Sequence, residues 1–331
     1  MPDRRSVHDA VEGFHVAALV AGLDRLGVLD AMAEPASPGD LAAPAGLDAG
    51  LLGLCLEYLA GVTDLVARRG ERYAVTGRWD AYARACVRQY VGAYGPLSLD
   101  LAAVLRDATA GAGLVDRDEH ARSFSGAPTV AGVVADLVLQ LGLAPTLDLG
   151  CGAGGLLADL ARRDPAFVGW GVDASPAMCA AARERLAGDG LAGRVTVVEG
   201  DAFDPAAVAA AVPAGEVRSI TATSLLNELW GDGRDGRPTV AGWLRSLAGA
   251  FPGRAVVVTD YFGRLGRRPP PWPAPGALHD LVQALSGQGV PPADHDGWRE
   301  AYREAGAQVL HLAEDGARSF FVHLLLLPGR R

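Results

Sequence analysis

From Thr146 onward, short runs rich in β-branched and apolar residues alternate with helical text, and a glycine-rich loop directly follows the first run. The runs occupy 146–149, 167–172, 195–199, 219–223 and 255–259. This rhythm predicts βαβ units, because parallel strands need a helical crossover between them. Two closing runs, 308–312 and 319–327, are joined through Glu314-Asp315-Gly316-Ala317, a link short enough for an antiparallel hairpin. The expected fold is α/β, a seven-stranded sheet with an antiparallel last strand. The only low-complexity stretch, Pro269 to Pro275, reads as a loop.

The preceding text is helical. Phe14, Ala17, Ala18, Ala21, Leu23, Leu26 and Leu29 recur at helical spacing between Val7 and Ala33, with Asp24 and Arg25 on the other face. Ser37-Pro38-Gly39-Asp40 and Asp48 are helix-start signals, and 65–75, centred on Arg69-Gly70-Glu71, reads as a hairpin. Helices followed by a two-stranded wing make a winged-helix unit. The expected division is 1–90 winged helix, 91–127 helical connector with a break at Gly111-Ala112-Gly113 and a polar segment from His120 to Ser125, and 128–331 the α/β domain.

A winged helix raises the question of DNA, and the helix that would enter the groove, 48–62, answers it. It carries no basic residue, and Leu51, Leu52, Leu54, Leu56 and Leu59 make it apolar on more than one side. A formal charge of −9 over 331 residues also disfavours a phosphate backbone. We expect no nucleic-acid partner and a homodimer through this unit. All 30 basic residues are arginine, which excludes Schiff-base, pyridoxal phosphate and phosphate-loop lysine chemistry. Cys55, Cys86, Cys151 and Cys179 form no CxxC pair and read as free thiols of a reducing compartment. No apolar run approaches the ~20 residues that span a bilayer, so a soluble, cytoplasmic protein without a membrane partner is expected.

The chemistry concentrates in Asp148-Leu149-Gly150-Cys151-Gly152-Ala153-Gly154-Gly155, between the first strand and a helix. Its glycines permit a tight turn and close ligand approach, and they also satisfy GxGxxG, so the neighbours must decide the ligand. Asp148 would repel a pyrophosphate but welcome a cation. The second strand ends in Gly171-Val172-Asp173, where a carboxylate can accept both ribose hydroxyls; the alternative for Asp173 is a helix N-cap, given Ser175-Pro176 after it. The third strand leads to Gly200-Asp201-Ala202-Phe203, an acid and a ring suited to adenine. Three acids around one glycine loop indicate a sulfonium nucleoside.

Taken together, Asp148 to Gly154, Asp173 and Gly200 to Phe203 resemble the class I S-adenosylmethionine-dependent methyltransferases, which implies a Rossmann-like sheet. With the winged helix the resemblance extends to small-molecule O-methyltransferases whose N-terminal domains dimerise. Trp230 and Phe251-Pro252 are similar to bacterial α-keto acid C-methyltransferases of secondary metabolism. The resemblance implies that Gly150, Gly152 and Gly154 hold the methionine portion, Asp173 the ribose, and Asp201, Ala202 and Phe203 the adenine; Ser224, after the fourth strand, completes the cofactor set.

The departure lies in Ser224-Leu225-Leu226-Asn227-Glu228-Leu229-Trp230. The family's O-methyltransferases carry a His-Asp pair there, with histidine as base, whereas Asn227 cannot take a proton at neutral pH. No ligand pattern replaces that histidine, so no metal is expected. Glu228 is the candidate for acid-base work, the alternative being an ion pair with Arg234 or Arg237. His279 is a candidate relocated base; His279-Asp280 and Asp294-His295-Asp296 lie where the family's pocket is lidded. Trp230, Tyr261 and Trp272 are candidates for an aromatic wall, Trp230 and Tyr261 beside the substrate. In-line transfer from positive sulfur draws much of its rate from alignment. A missing histidine thus favours an amine, an acidified carbon or an ionised oxygen as acceptor, oriented by Asn227, with Glu228 receiving any proton. The rival readings are an enzyme that keeps the cofactor but catalyses an intramolecular reaction such as a cyclisation, and a cofactor-bound partner or regulator.

Overall fold

The computed structural model describes residues 6–107, 110–123, 130–231, 236–266, 276–315 and 320–329. Two compact units divide the chain, the first reaching Gly95 and the second taking it up at Pro96.

In the first unit several helices begin where the sequence caps them. Ser6 and Asp9 form a capping box for the helix Val7–Arg25, Ser37 and Asp40 do the same for Pro38–Ala42, and Asp48 accepts from the Leu51 N–H at 2.8 Å to start Ala49–Val62. The strands Val66–Arg69 (β1) and Arg72–Val75 (β2) form the wing, turning at Gly70. Leu29, Met32, Leu56 and Leu59 are fully buried at its centre. Two expectations need correcting. The opening helix does not run to Ala33: it ends at Arg25, and Gly27, with φ +72°, starts a separate turn Val28–Ala31. Asp24 does not face solvent: it is buried, its carboxylate accepts from Arg88 at 2.7 Å, and Arg84 forms an ion pair with it at 3.2 Å.

The second unit holds seven strands: Thr146–Leu149 (β3), Gly169–Asp173 (β4), Val195–Glu199 (β5), Ser219–Thr223 (β6), Ala255–Tyr261 (β7), Gln308–Asp315 (β8) and Phe320–Leu326 (β9). Their order is β5-β4-β3-β6-β7-β9-β8, and β9 alone runs against the others. The α/β class and the seven strands are as expected. Helices Ala131–Gln140, Gly155–Arg163 and Pro176–Gly188 cover one face; Pro205–Ala211, Arg237–Ala250 and His295–Glu304 cover the other. Every residue of β3 is buried, as a central strand between two helical layers must be.

The region before the sheet also departs from expectation. Gly111-Ala112-Gly113 lies inside the helix Ala110–Leu114, where Gly111 lets the backbone meet the Leu285 carbonyl, and 117–123 forms the helix Arg117–Ser123. Pro269 to Pro275, Trp272, Arg234, Gly316 and Ala317 lie outside the described residues. Among the described residues no helix is long and apolar enough to cross a membrane.

The helix His295–Glu304 is fixed through Trp298, fully buried between Trp230 (ring centroids 5.0 Å apart) and Phe321 (4.9 Å). Trp298→Ala is expected to cost about 3–5 kcal/mol of unfolding free energy in a denaturant titration, as a large buried aromatic lost from a packed core does.

Candidate active site

The carboxyl ends of β3, β4 and β5 bring the glycine loop and the acids together. Gly150, Gly152 and Gly154 take φ of +70°, +52° and +70°, a conformation that disfavours any side chain. The loop is tied to β4 by Gly150 N–H and Cys151 N–H, which donate to the Val172 carbonyl at 2.8 and 3.0 Å. Asp173 fastens it further: Oδ2 accepts from Gly152 N–H (2.8 Å) and Oδ1 from Ser175 N–H (2.9 Å). The N-cap considered for Asp173 belongs instead to Ser175, whose side chain accepts from Met178 N–H. Each Asp173 oxygen retains a lone pair for a ligand hydroxyl.

Asp201 stands exposed after β5, with Oδ1 accepting from Phe203 N–H at 2.8 Å. The Ala202 carbonyl accepts from Trp243 Nε1 at 3.0 Å, and the Phe203 ring stands edge-on to Trp243. Asp148 is buried within β3, where Thr221 Oγ1 donates to it at 2.6 Å. Burial pushes its carboxyl up to about 7 against that hydrogen bond, and the Asp173 charge adds to the rise. A cation placed at these strand ends would relieve this cost, so the residues fit a sulfonium nucleoside.

The second half of the site lies after β6. Ser224, the one non-glycine with left-handed φ (+51°) among the described residues, donates its N–H to the Thr259 carbonyl at 2.7 Å and turns the chain into the 3-10 helix Leu226–Leu229. Asp260, which sequence reasoning missed, anchors that turn. Fully buried at the end of β7, its carboxylate accepts from Asn227 N–H (2.9 Å) and Tyr261 N–H (3.0 Å). Burial pushes it up to about 7, partly opposed by those donors and reinforced by Glu228. The available signal was its position, an acid at the end of the strand beside β6.

Asn227 is buried, and its Nδ2 donates to Gln283 Oε1 at 3.4 Å. Glu228 titrates above the usual carboxylate range because it is buried; the Arg117 charge opposes the rise. His279 meets the Tyr261 ring edge-on at 4.7 Å and lies 3.5 Å, Nε2 to Nε2, from Gln283. Burial lowers His279 to about 4, and His120, also lowered to about 4 by burial, adds to it. His279 is therefore neutral at pH 7 and a weak base. Trp230 packs into the core against Trp298. His295 lies 2.8 Å, Nδ1 to Nε2, from His323, whose Nδ1 meets Tyr302 OH at 2.8 Å. Among the described residues no three His, Cys, Asp or Glu side chains are grouped to hold a metal.

Residues 146–236 match the family model of a methyltransferase domain. A stretch of 115 residues is 42% identical to aclacinomycin 10-hydroxylase RdmB of Streptomyces purpurascens, covering 34% of this chain and 27% of that protein, so the match spans about a quarter of the relative's length. The mitomycin 7-O-methyltransferase MmcR superimposes with a TM-score of 0.73 at 20% identity, over 97% of this chain and 96% of that one. Human N-acetylserotonin methyltransferase, solved with S-adenosylmethionine, gives 0.69 at 19% identity over 100% of both chains. Residues 146–236 thus match a methyltransferase domain, and the chain shares the fold of these two methyltransferases.

The raised Asp148 sets a pH dependence. Its folded value exceeds the ordinary 3.8, so the stability contributed by the neutral form is present below that value and lost as pH rises through about 7. Asp148→Asn should therefore reduce the fall in unfolding free energy across that interval, measured by urea titration of the ligand-free chain at several pH values.

Proposed function

We propose that the whole protein transfers the methyl group of S-adenosylmethionine to a small molecule. The observation that carries this reading is the set of three acids, Asp148, Asp173 and Asp201, at the ends of adjacent strands around a loop of left-handed glycines. Bound there, the cofactor supplies a methyl group on positively charged sulfur. Asp173 and Asp201 hold the nucleoside, with Ala202 and Phe203 at the adenine and Ser224 at the mouth, while buried Asp148 supplies negative charge beneath the loop. Glu228 takes the proton released by the acceptor, because burial raises its basicity and its turn is fixed by Asp260. Glu228→Gln is expected to lower kcat by about 10²-fold or more while leaving cofactor affinity unchanged, and His279→Gln to leave most of kcat intact; the reverse ranking would assign the base to His279.

Two observations bear on alternatives. The relative in Streptomyces purpurascens is named a hydroxylase, which supports a second reading in which cofactor is bound but not consumed. Methyl-labelled cofactor incubated with a small-molecule extract separates the two: labelled product with equimolar S-adenosylhomocysteine supports transfer, and an altered, unlabelled metabolite supports the rival. Likeness to the α-keto acid C-methyltransferases rests on Trp230 and Phe251, both buried in the core, and so on packing rather than site chemistry.

The same reading includes a homodimer through the first unit. Phe14, Leu51 and Leu54 are more than half exposed, and an apolar groove of about 270 Å³ runs between Leu19, Leu23, Leu47 and Leu52. Leu54→Glu combined with Leu51→Glu should convert a dimeric mass to a monomeric one in light scattering at micromolar concentration.

A further inference from the structure

Asn227 is held at both its ends. Its backbone N–H donates to Asp260, and its Nδ2 donates to Oε1 of Gln283, a buried residue of the helix Ala277–Leu285. Gln283 turns its own Nε2 toward His279 Nε2. His279 is neutral through burial, so that ring nitrogen can accept. The hydrogen-bond sense therefore runs one way, with Gln283 donating to His279 and accepting from Asn227. Asn227 Oδ1 remains, buried and without a hydrogen-bond partner among the described residues. Native interiors rarely leave such an atom unpaired, so its missing partner calls for an explanation.

The backbone behind this arrangement is closely packed. A Cβ on Gly231, just past the turn, would stand 2.7 Å from the Gly287 carbonyl, and Gly289, at φ +73°, bridges to Trp230. The turn and the loop after the helix Ala277–Leu285 thus meet backbone to backbone, which fixes Asn227 relative to Gln283.

We propose that Asn227 Oδ1 accepts an N–H hydrogen of the substrate, that the methyl acceptor is a neutral amine nitrogen, and that Gln283 is the positioning residue that sets the amide. This rests on the methyl-transfer reading and names its substrate class. A hydroxyl has one hydrogen, and donating it to an amide that cannot remove it leaves the oxygen unactivated. A neutral amine can donate a hydrogen to Oδ1 and still present its lone pair. The nitrogen then forms the bond to the methyl carbon, the methyl–sulfur bond breaks with its electron pair left on sulfur, and Glu228 receives the N–H proton.

The test uses the full chain saturated with S-adenosylhomocysteine, observed by 15N NMR, with aniline and N,N-dimethylaniline as matched probes. The proposal expects His279 as the Nδ1–H tautomer, and a shift of the Asn227 side-chain amide with aniline but not with N,N-dimethylaniline, which has no N–H. Gln283→Leu should weaken aniline binding about tenfold while S-adenosylhomocysteine affinity changes less than about twofold. Gln283→Glu, which accepts from Asn227 but cannot donate to His279, should retain aniline and switch His279 to Nε2–H, a signature that a merely structural role would not produce. With labelled cofactor, aniline nitrogen rather than phenol oxygen should carry the methyl group. Equal responses to the two amines, an Nε2–H tautomer in the unaltered chain, or preferred labelling of phenol would overturn the proposal. A chain that does not bind S-adenosylhomocysteine would overturn the cofactor reading, and the proposal with it.

Discussion

Carboxylates taken out of water at the ends of parallel strands carry a desolvation cost, and the arrangement of the site follows from how they are accommodated. Asp148 and Asp260 are both buried, and each is pushed up to about 7 by that burial. They are treated differently. Asp260 gathers backbone N–H groups from the turn at Asn227 and from Tyr261, so its charge is used to hold a structure. Asp148 is given a single threonine hydroxyl and lies in the field of Asp173, which leaves it suited to a cation.

The fold makes this possible by its strand order. β3 lies between β4 and β6, so the glycine loop after β3 and the turn after β6 open at the same end of the sheet. Asp173 closes one side by accepting from the loop and from Ser175, and Ser224 closes the other by adopting a left-handed conformation that a serine pays to hold. The proposed cofactor and acceptor sites thus lie one strand-to-strand spacing apart.

What the sequence disclosed followed from local physics. Strand runs, capping residues and the glycine loop are read from neighbours in the chain, which is why Thr146–Leu149, Val195–Glu199 and Ser219–Thr223 fall at their expected bounds. Breaks decided by packing were not legible. Gly111 and Gly113 look like helix breakers but sit within a helix, where Gly111 admits the Leu285 carbonyl, and Asp24 looks solvent-facing until Arg84 and Arg88, some sixty residues away, cover it. In the candidate site, Asp173 and Asp201 were nominated through their spacing from strand ends. Asp260 and Gln283 were not, because their importance comes from contacts with Asn227 across 33 and 56 residues of chain.

The central claim, that these strand-end acids receive a sulfonium nucleoside, is tested most directly by calorimetric titration of the full chain with S-adenosylmethionine at several pH values. The account predicts saturable binding that tightens as pH rises through about 7, because the cation draws Asp148 into its ionised form. Absence of binding, or an affinity indifferent to pH and unchanged in Asp148→Asn, would contradict it.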